Sequence, residues 1–119
     1  MDTNYIQQLK KGTLEVVLLC LVNAQETYGY EIITRLNNTC GEVLGYTREG
    51  TIYPILYRLE KNRLIKSRSV LSRANGREKK LYSITPSGRQ TLSANTKYWQ
   101  EYVACINSFL ELSKREAQE

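Results

Sequence analysis

Histidine is absent from the 119 residues. Its absence excludes a Ser-His-Asp or Cys-His pair, a histidine metal ligand and an imidazole pH switch. Cysteine is scarce: Cys20, Cys40 and Cys105 are widely spaced, odd in number and form no CxxC pair. That pattern argues against a structural zinc site and suits a reduced, cytoplasmic protein with no metal and no cofactor. No long hydrophobic run exists either. The longest, Val16 to Val22, is seven residues, far too short to span a bilayer, so no membrane partner is expected. The first residues, Met1-Asp2-Thr3-Asn4, lack the basic start of a signal peptide. Without a nucleophile–base pair or a metal cluster, the chain is not expected to be an enzyme.

What is present is positive charge, unevenly spread. The chain carries 17 Lys and Arg against 12 Asp and Glu, a net +5. Residues 1–50 hold four basic and six acidic side chains, net −2. Residues 51–90 hold ten basic and two acidic, net +8, and residues 91–119 three basic and four acidic, net −1. A forty-residue block at +8 is either a solvated face or an electrostatic footprint for a polyanion. The elements beneath the block decide between the two.

Tyr5, Ile6 and Leu9 suggest a short amphipathic segment ending near Gly12. Thr13 offers a helix N-cap before Leu14 to Val22, a stretch apolar almost all round that suits a buried helix better than a buried strand. Gln25-Glu26-Thr27 reads as a turn, and Tyr28 to Asn38 as a second helix ended by Asn37-Asn38-Thr39-Cys40-Gly41. The third helix is the clearest: Ile52, Ile55, Leu56 and Leu59 recur at helical spacing, with Thr51, Pro54, Arg58 and Lys61 opposite. It starts within Thr47-Arg48-Glu49-Gly50, and Pro54 belongs near its beginning or kinks it. Ile65–Ser72 and Lys79–Thr85 read as two strands joined through Asn75-Gly76, a hairpin signal because both residues accept positive φ. Thr85 and Pro86 then cap and open a helix that nothing breaks until about Ser113. At 1.5 Å per residue it is about 40 Å long. Its stripe of Leu92, Trp99, Tyr102, Val103, Ile106, Phe109 and Leu110 is longer than the rest of the chain can cover. A second copy of the chain is the economical cover.

Three helices, a basic hairpin and a long helix give a mostly α, winged helix-turn-helix fold with a two-stranded wing. The domain division is 1–85 for the winged helix, with 1–12 at the dimer interface, and 86–119 for the dimerisation helix. The basic block covers the third helix and the wing together, and this coincidence turns the reading toward a DNA surface. The third helix, about 48–63, would lie in the major groove, with the wing tip 73–80 on the backbone or minor groove. A winged helix that docks a larger protein through the long helix is the alternative.

Specific residues sharpen this. Gly29-Tyr30-Glu31-Ile32, the run Glu49-Gly50-Thr51-Ile52-Tyr53-Pro54-Ile55-Leu56-Tyr57-Arg58-Leu59-Glu60, and Lys80-Leu81-Tyr82-Ser83-Ile84-Thr85-Pro86-Ser87-Gly88 resemble the PadR family of bacterial transcriptional regulators. The resemblance covers roughly residues 12 to 92 and points to the short subfamily with one long C-terminal helix. Asn62-Arg63 departs from it, since the family often has a glycine there.

The candidate DNA-binding residues are Arg48, Thr51, Tyr53, Pro54, Tyr57, Arg58, Lys61, Arg73, Arg77, Lys79 and Lys80. The resemblance implies that Thr51 and Tyr53 contact the DNA backbone of an operator. Arg58, and Arg48 after it, have the chemistry to read guanine edges. For Tyr53 and Tyr57, packing against neighbouring helices is the competing role. The wing cations suit phosphates or the minor groove. The expected dimer contacts are Tyr5, Ile6, Leu9, Trp99, Tyr102, Val103, Ile106, Phe109 and Leu110. Trp99, flanked by Tyr98 and Tyr102, either packs there or, as the resemblance implies, meets its symmetry mate to hold a planar aromatic or phenolic effector. The resemblance also implies a repressor. Cys20 and Cys105 are expected in the core, and Cys40 at the surface.

Overall fold

The computed structural model describes residues 12–118. The segment carrying Tyr5, Ile6 and Leu9 lies outside them. Helix α1, Thr13–Ala24, buries Leu18, Leu19 and Val22, which resolves the apolar stretch as a helix. Its N-cap is not Thr13 but Gly12, at φ 85° and without a side-chain cap. Only one face is buried: Cys20 lies on the exposed side, and Cys105 is exposed on the last helix. Both cysteines thus fall outside the core expected for them, whereas Cys40 is half-buried against it. An apolar run all round a helix does not guarantee burial all round when one chain covers one face.

The polar segment after α1 is not simply a turn. Thr27–Tyr28 form strand β1, paired antiparallel as Thr27 with Tyr82 and Tyr28 with Leu81. Thr27 is fully buried, and its hydroxyl donates to Glu31 Oε2 at 3.2 Å. Helix α2 runs over Gly29–Leu44, six residues beyond the expected stop at Asn38. Two contacts with the loop that follows the helix accompany this. Gly41 is buried in the helix because the Tyr46 ring occupies the space where a Cβ would stand. Asn37 does not end the helix but brackets the next loop. Its Nδ2 donates to the Thr47 carbonyl at 3.0 Å, and its Oδ1 accepts from the Thr47 amide at 2.8 Å and hydroxyl at 3.2 Å.

Helix α3, Glu49–Lys61, begins where expected. Arg48 is extended at its N-cap, and its carbonyl accepts the Thr51 and Ile52 amides. Ile52, Ile55, Leu56 and Leu59 form its buried face, and Pro54 sits inside the helix, with no N–H to offer the Gly50 carbonyl. At its end the Arg63 amide donates to Glu60 O and the Leu64 amide to Leu59 O. This pairing needs a left-handed residue at 63, and Arg63 has φ 62°.

Strands β2, Ile65–Leu71, and β3, Glu78–Ile84, pair from Ile65–Ile84 to Leu71–Glu78. With β1 on the far side of β3 the sheet is three-stranded, β1-β3-β2, rather than a two-stranded ribbon. The hairpin loop is wider than a two-residue Asn-Gly turn. The Ser72 amide donates to Arg77 O, Gly76 N to Ser72 O and Arg77 N to Asn75 Oδ1. Only Gly76 of the pair takes positive φ, at 67°.

Helix α4, Pro86–Gln118, is capped as expected: Thr85 Oγ1 accepts the Gly88 amide at 3.0 Å while its hydroxyl faces the Arg63 and Leu64 carbonyls. Leu92 joins the core. Beyond it the helix projects outward and gives the molecule a long axis of 66 Å against 30 and 20 Å. The assembly is a winged helix-turn-helix domain carrying a long C-terminal helix. No helix among the described residues is long and apolar enough to cross a membrane.

Candidate nucleic-acid interface

The burial of one face of α3 dictates what the other offers. With Ile52, Ile55, Leu56 and Leu59 inside, Gly50, Thr51, Tyr53, Pro54, Tyr57, Arg58 and Lys61 are exposed, and Arg48 is exposed at the cap. Tyr57 is 69% exposed and is not packed against a neighbouring helix. Tyr53 is intermediate in kind. It is 41% exposed, yet its ring lies over Gly29, where a Cβ would stand 2.7 Å from Cε1 and Oη. It packs and presents its edge at once.

Arg58 is engaged within the chain. Its Nε donates to Glu15 Oε1 at 2.8 Å, and Nη2 donates to the same oxygen. On the wing, Arg73, Arg77, Lys79 and Lys80 are all exposed. The Lys79 ammonium stands 5.9 Å from the Tyr28 ring centroid, a cation–π distance. Arg68 on β2 approaches Glu26 at 3.5 Å.

The outer side of α3 and the base of the wing face one another across a cleft of about 560 Å³. Tyr53 and Tyr57 line it from α3, Lys79 and Lys80 from β3, and Tyr28 and Tyr30 from the β1–α2 junction. Tyr28 and Tyr30 were not among the expected site residues. Their place depends on β1 pairing with β3, for which two residues carry no periodic signal. Arg73 and Arg77 sit on the loop beyond the cleft and do not line it.

The cleft is not uniformly basic. Glu31, Glu60 and Glu78 line it beside the two lysines, with Glu31 accepting from the Thr27 hydroxyl and Glu60 from the Ser67 hydroxyl at 2.5 Å. Burial pushes the Tyr82 phenol above its ordinary 10.0, and Glu60 and Tyr53 beside it raise it further. Tyr82 is therefore a neutral hydroxyl throughout the physiological range.

A second cluster forms on α4. The Tyr98 and Trp99 rings each lie 6.1 Å from Tyr102, the Trp99 pair stacked at 24°. Trp99 and Tyr98 line two open clefts. One, of about 290 Å³, is shared with Glu15, Val16 and Leu19 of α1 and Leu59 of α3. The other, of about 420 Å³, runs along α4 past Tyr102, Val103 and Ile106.

An exposed third helix beside a basic hairpin defines a winged helix-turn-helix regulator. Residues 18–94 match the transcriptional regulator PadR-like family, and the chain belongs to that family, whose members are transcriptional regulators and not enzymes. It is 34% identical to a PadR-like transcriptional regulator from Bacillus cereus, with TM-score 0.74, covering 87% of this chain and 96% of that one. It is 29% identical to Bacillus subtilis PadR, solved in complex with operator DNA, with TM-score 0.62, covering 69% of this chain but 44% of that one. An uncharacterised protein of Lysinibacillus sphaericus is 32% identical over 101 residues, 85% of this chain and 91% of its own length.

Proposed function

We propose that the chain is a cytoplasmic, DNA-binding transcriptional repressor that acts as a homodimer and responds to an aromatic effector. The observation that carries the DNA reading is the shared cleft. The exposed tyrosines of α3 and the wing lysines converge on one surface, within the block of net +8. Tyrosine hydroxyls and lysines position phosphates, and the remaining exposed residues of α3 face the groove. That Bacillus subtilis PadR, similar to this chain, was solved in complex with operator DNA supports a DNA partner.

Homodimerisation is supported by α4. Trp99, Tyr102, Ile106, Phe109 and Leu110 are each more than 40% exposed in the single chain. A two-fold axis through this stripe would cover it with itself and bring Trp99 near its mate. Two indoles there would hold a flat aromatic ligand between them.

One experiment tests the whole reading: the full chain is titrated with duplex DNA from upstream of its own gene, across salt concentrations and with candidate effectors added. Affinity should fall steeply with salt, with a log–log slope of about −0.9 for each phosphate contact. A flat salt response would overturn the DNA assignment. Quenching of Trp99 fluorescence by flat cationic dyes, read without DNA, tests the effector site, and silence across a panel would leave Trp99 as packing alone.

A further inference from the structure

We propose that Glu15 is an internal competitor for Arg58, holding its guanidinium in the place a DNA phosphate would take. The proposal rests on the DNA-binding reading above. Arg58 lies on the exposed side of α3, and both Nε and Nη2 donate to one carboxylate oxygen of Glu15, from a helix 43 residues away in sequence. A carboxylate and a phosphate offer a guanidinium the same kind of oxygen acceptor. The pair is wet, with 55% of the Arg58 side chain and 39% of the Glu15 side chain exposed. Such a pair adds little to folding, and water or another anion reaches it readily. DNA docking on α3 therefore exchanges one anion on Arg58 for another and leaves Glu15 bare beside the phosphates.

The test compares wild type, Glu15→Gln, Arg58→Gln and the double variant for duplex binding across salt. Glu15→Gln should bind severalfold more tightly, with a log–log salt slope steeper by about 0.9 for each Arg58 that engages a phosphate. The gain should vanish in the Arg58→Gln background. Weaker binding by Glu15→Gln, with an unchanged thermal melt, would make the pair a strut for α3 and overturn the proposal. So would a gain that survives without Arg58. Failure of the wild type to bind any duplex would overturn the underlying reading instead.

Discussion

Arg63 carries a backbone conformation that its side chain disfavours. At φ 62° it completes the paired amide bonds that end α3, a position where glycine has no steric cost. The departure from glycine noted in the sequence is thus a point of stored strain. Arg63→Gly should stabilise the fold by about 1 kcal/mol, a few degrees in Tm, after the greater freedom of glycine in the unfolded chain is offset. Arg63→Ala should give no such gain, and thermal melts of the two variants check this. Tyr82 gives a second test. Its phenol is raised by burial above 10.0, so below that pH folded and unfolded chains are both protonated there. Above it the unfolded phenol loses its proton first, and the stability linked to Tyr82 is lost as pH rises through the folded value. Tyr82→Phe should flatten the alkaline fall in stability seen by denaturant titration as the pH rises past 10.0. An unchanged profile would remove Tyr82 from that loss.

At the level of elements, the wing is where charge and geometry divide. Lys79 and Lys80 line the cleft facing α3, whereas Arg73 and Arg77 sit on the loop beyond it. If the cleft seats the DNA backbone, Lys79→Ala with Lys80→Ala should flatten the salt slope by about 1.8 per protomer, and weaken binding alike across sequences. Arg73→Ala with Arg77→Ala should cost less on a short duplex. The elements differed in how far they could be read from sequence. The core face of α3, both long strands and the cap at Thr85 each rest on local patterning, and each lies within about a residue of its expected bounds. β1 rests instead on partners far along the chain, Tyr82 and Leu81, and the end of α2 and the role of Asn37 rest on side-chain contacts with the loop that follows, through Tyr46 and Thr47. Neither a distant strand partner nor a single side-chain contact leaves a periodic pattern in the sequence. The candidate site divides the same way. Its α3 and wing residues were legible as an exposed face and a charged hairpin, but Tyr28 and Tyr30, and the Glu15 on Arg58, were not.

For the whole molecule, the decisive feature is that α4 leaves its domain after Leu92 and carries an apolar stripe with it. Fully burying a side chain such as Ile or Phe contributes about 1.5–3 kcal/mol, so covering Trp99, Tyr102, Ile106, Phe109 and Leu110 against a second copy outweighs much of the entropy of association. A charge at the centre of that stripe reverses the balance, because burying an unpaired carboxylate is far costlier than leaving it in water. Ile106→Glu should therefore elute near 13.8 kDa, and the wild type, if it dimerises as proposed, near twice that mass. The winged-helix domain should keep its melt, since Ile106 touches none of the buried core. DNA binding should weaken sharply, and most on DNA carrying two half-sites, because a monomer engages only one. Binding that survives in a monomeric variant with its two-site preference intact would show that the two reading helices are not held together by α4. A wild type that is itself monomeric at micromolar concentration would leave the stripe for a different partner.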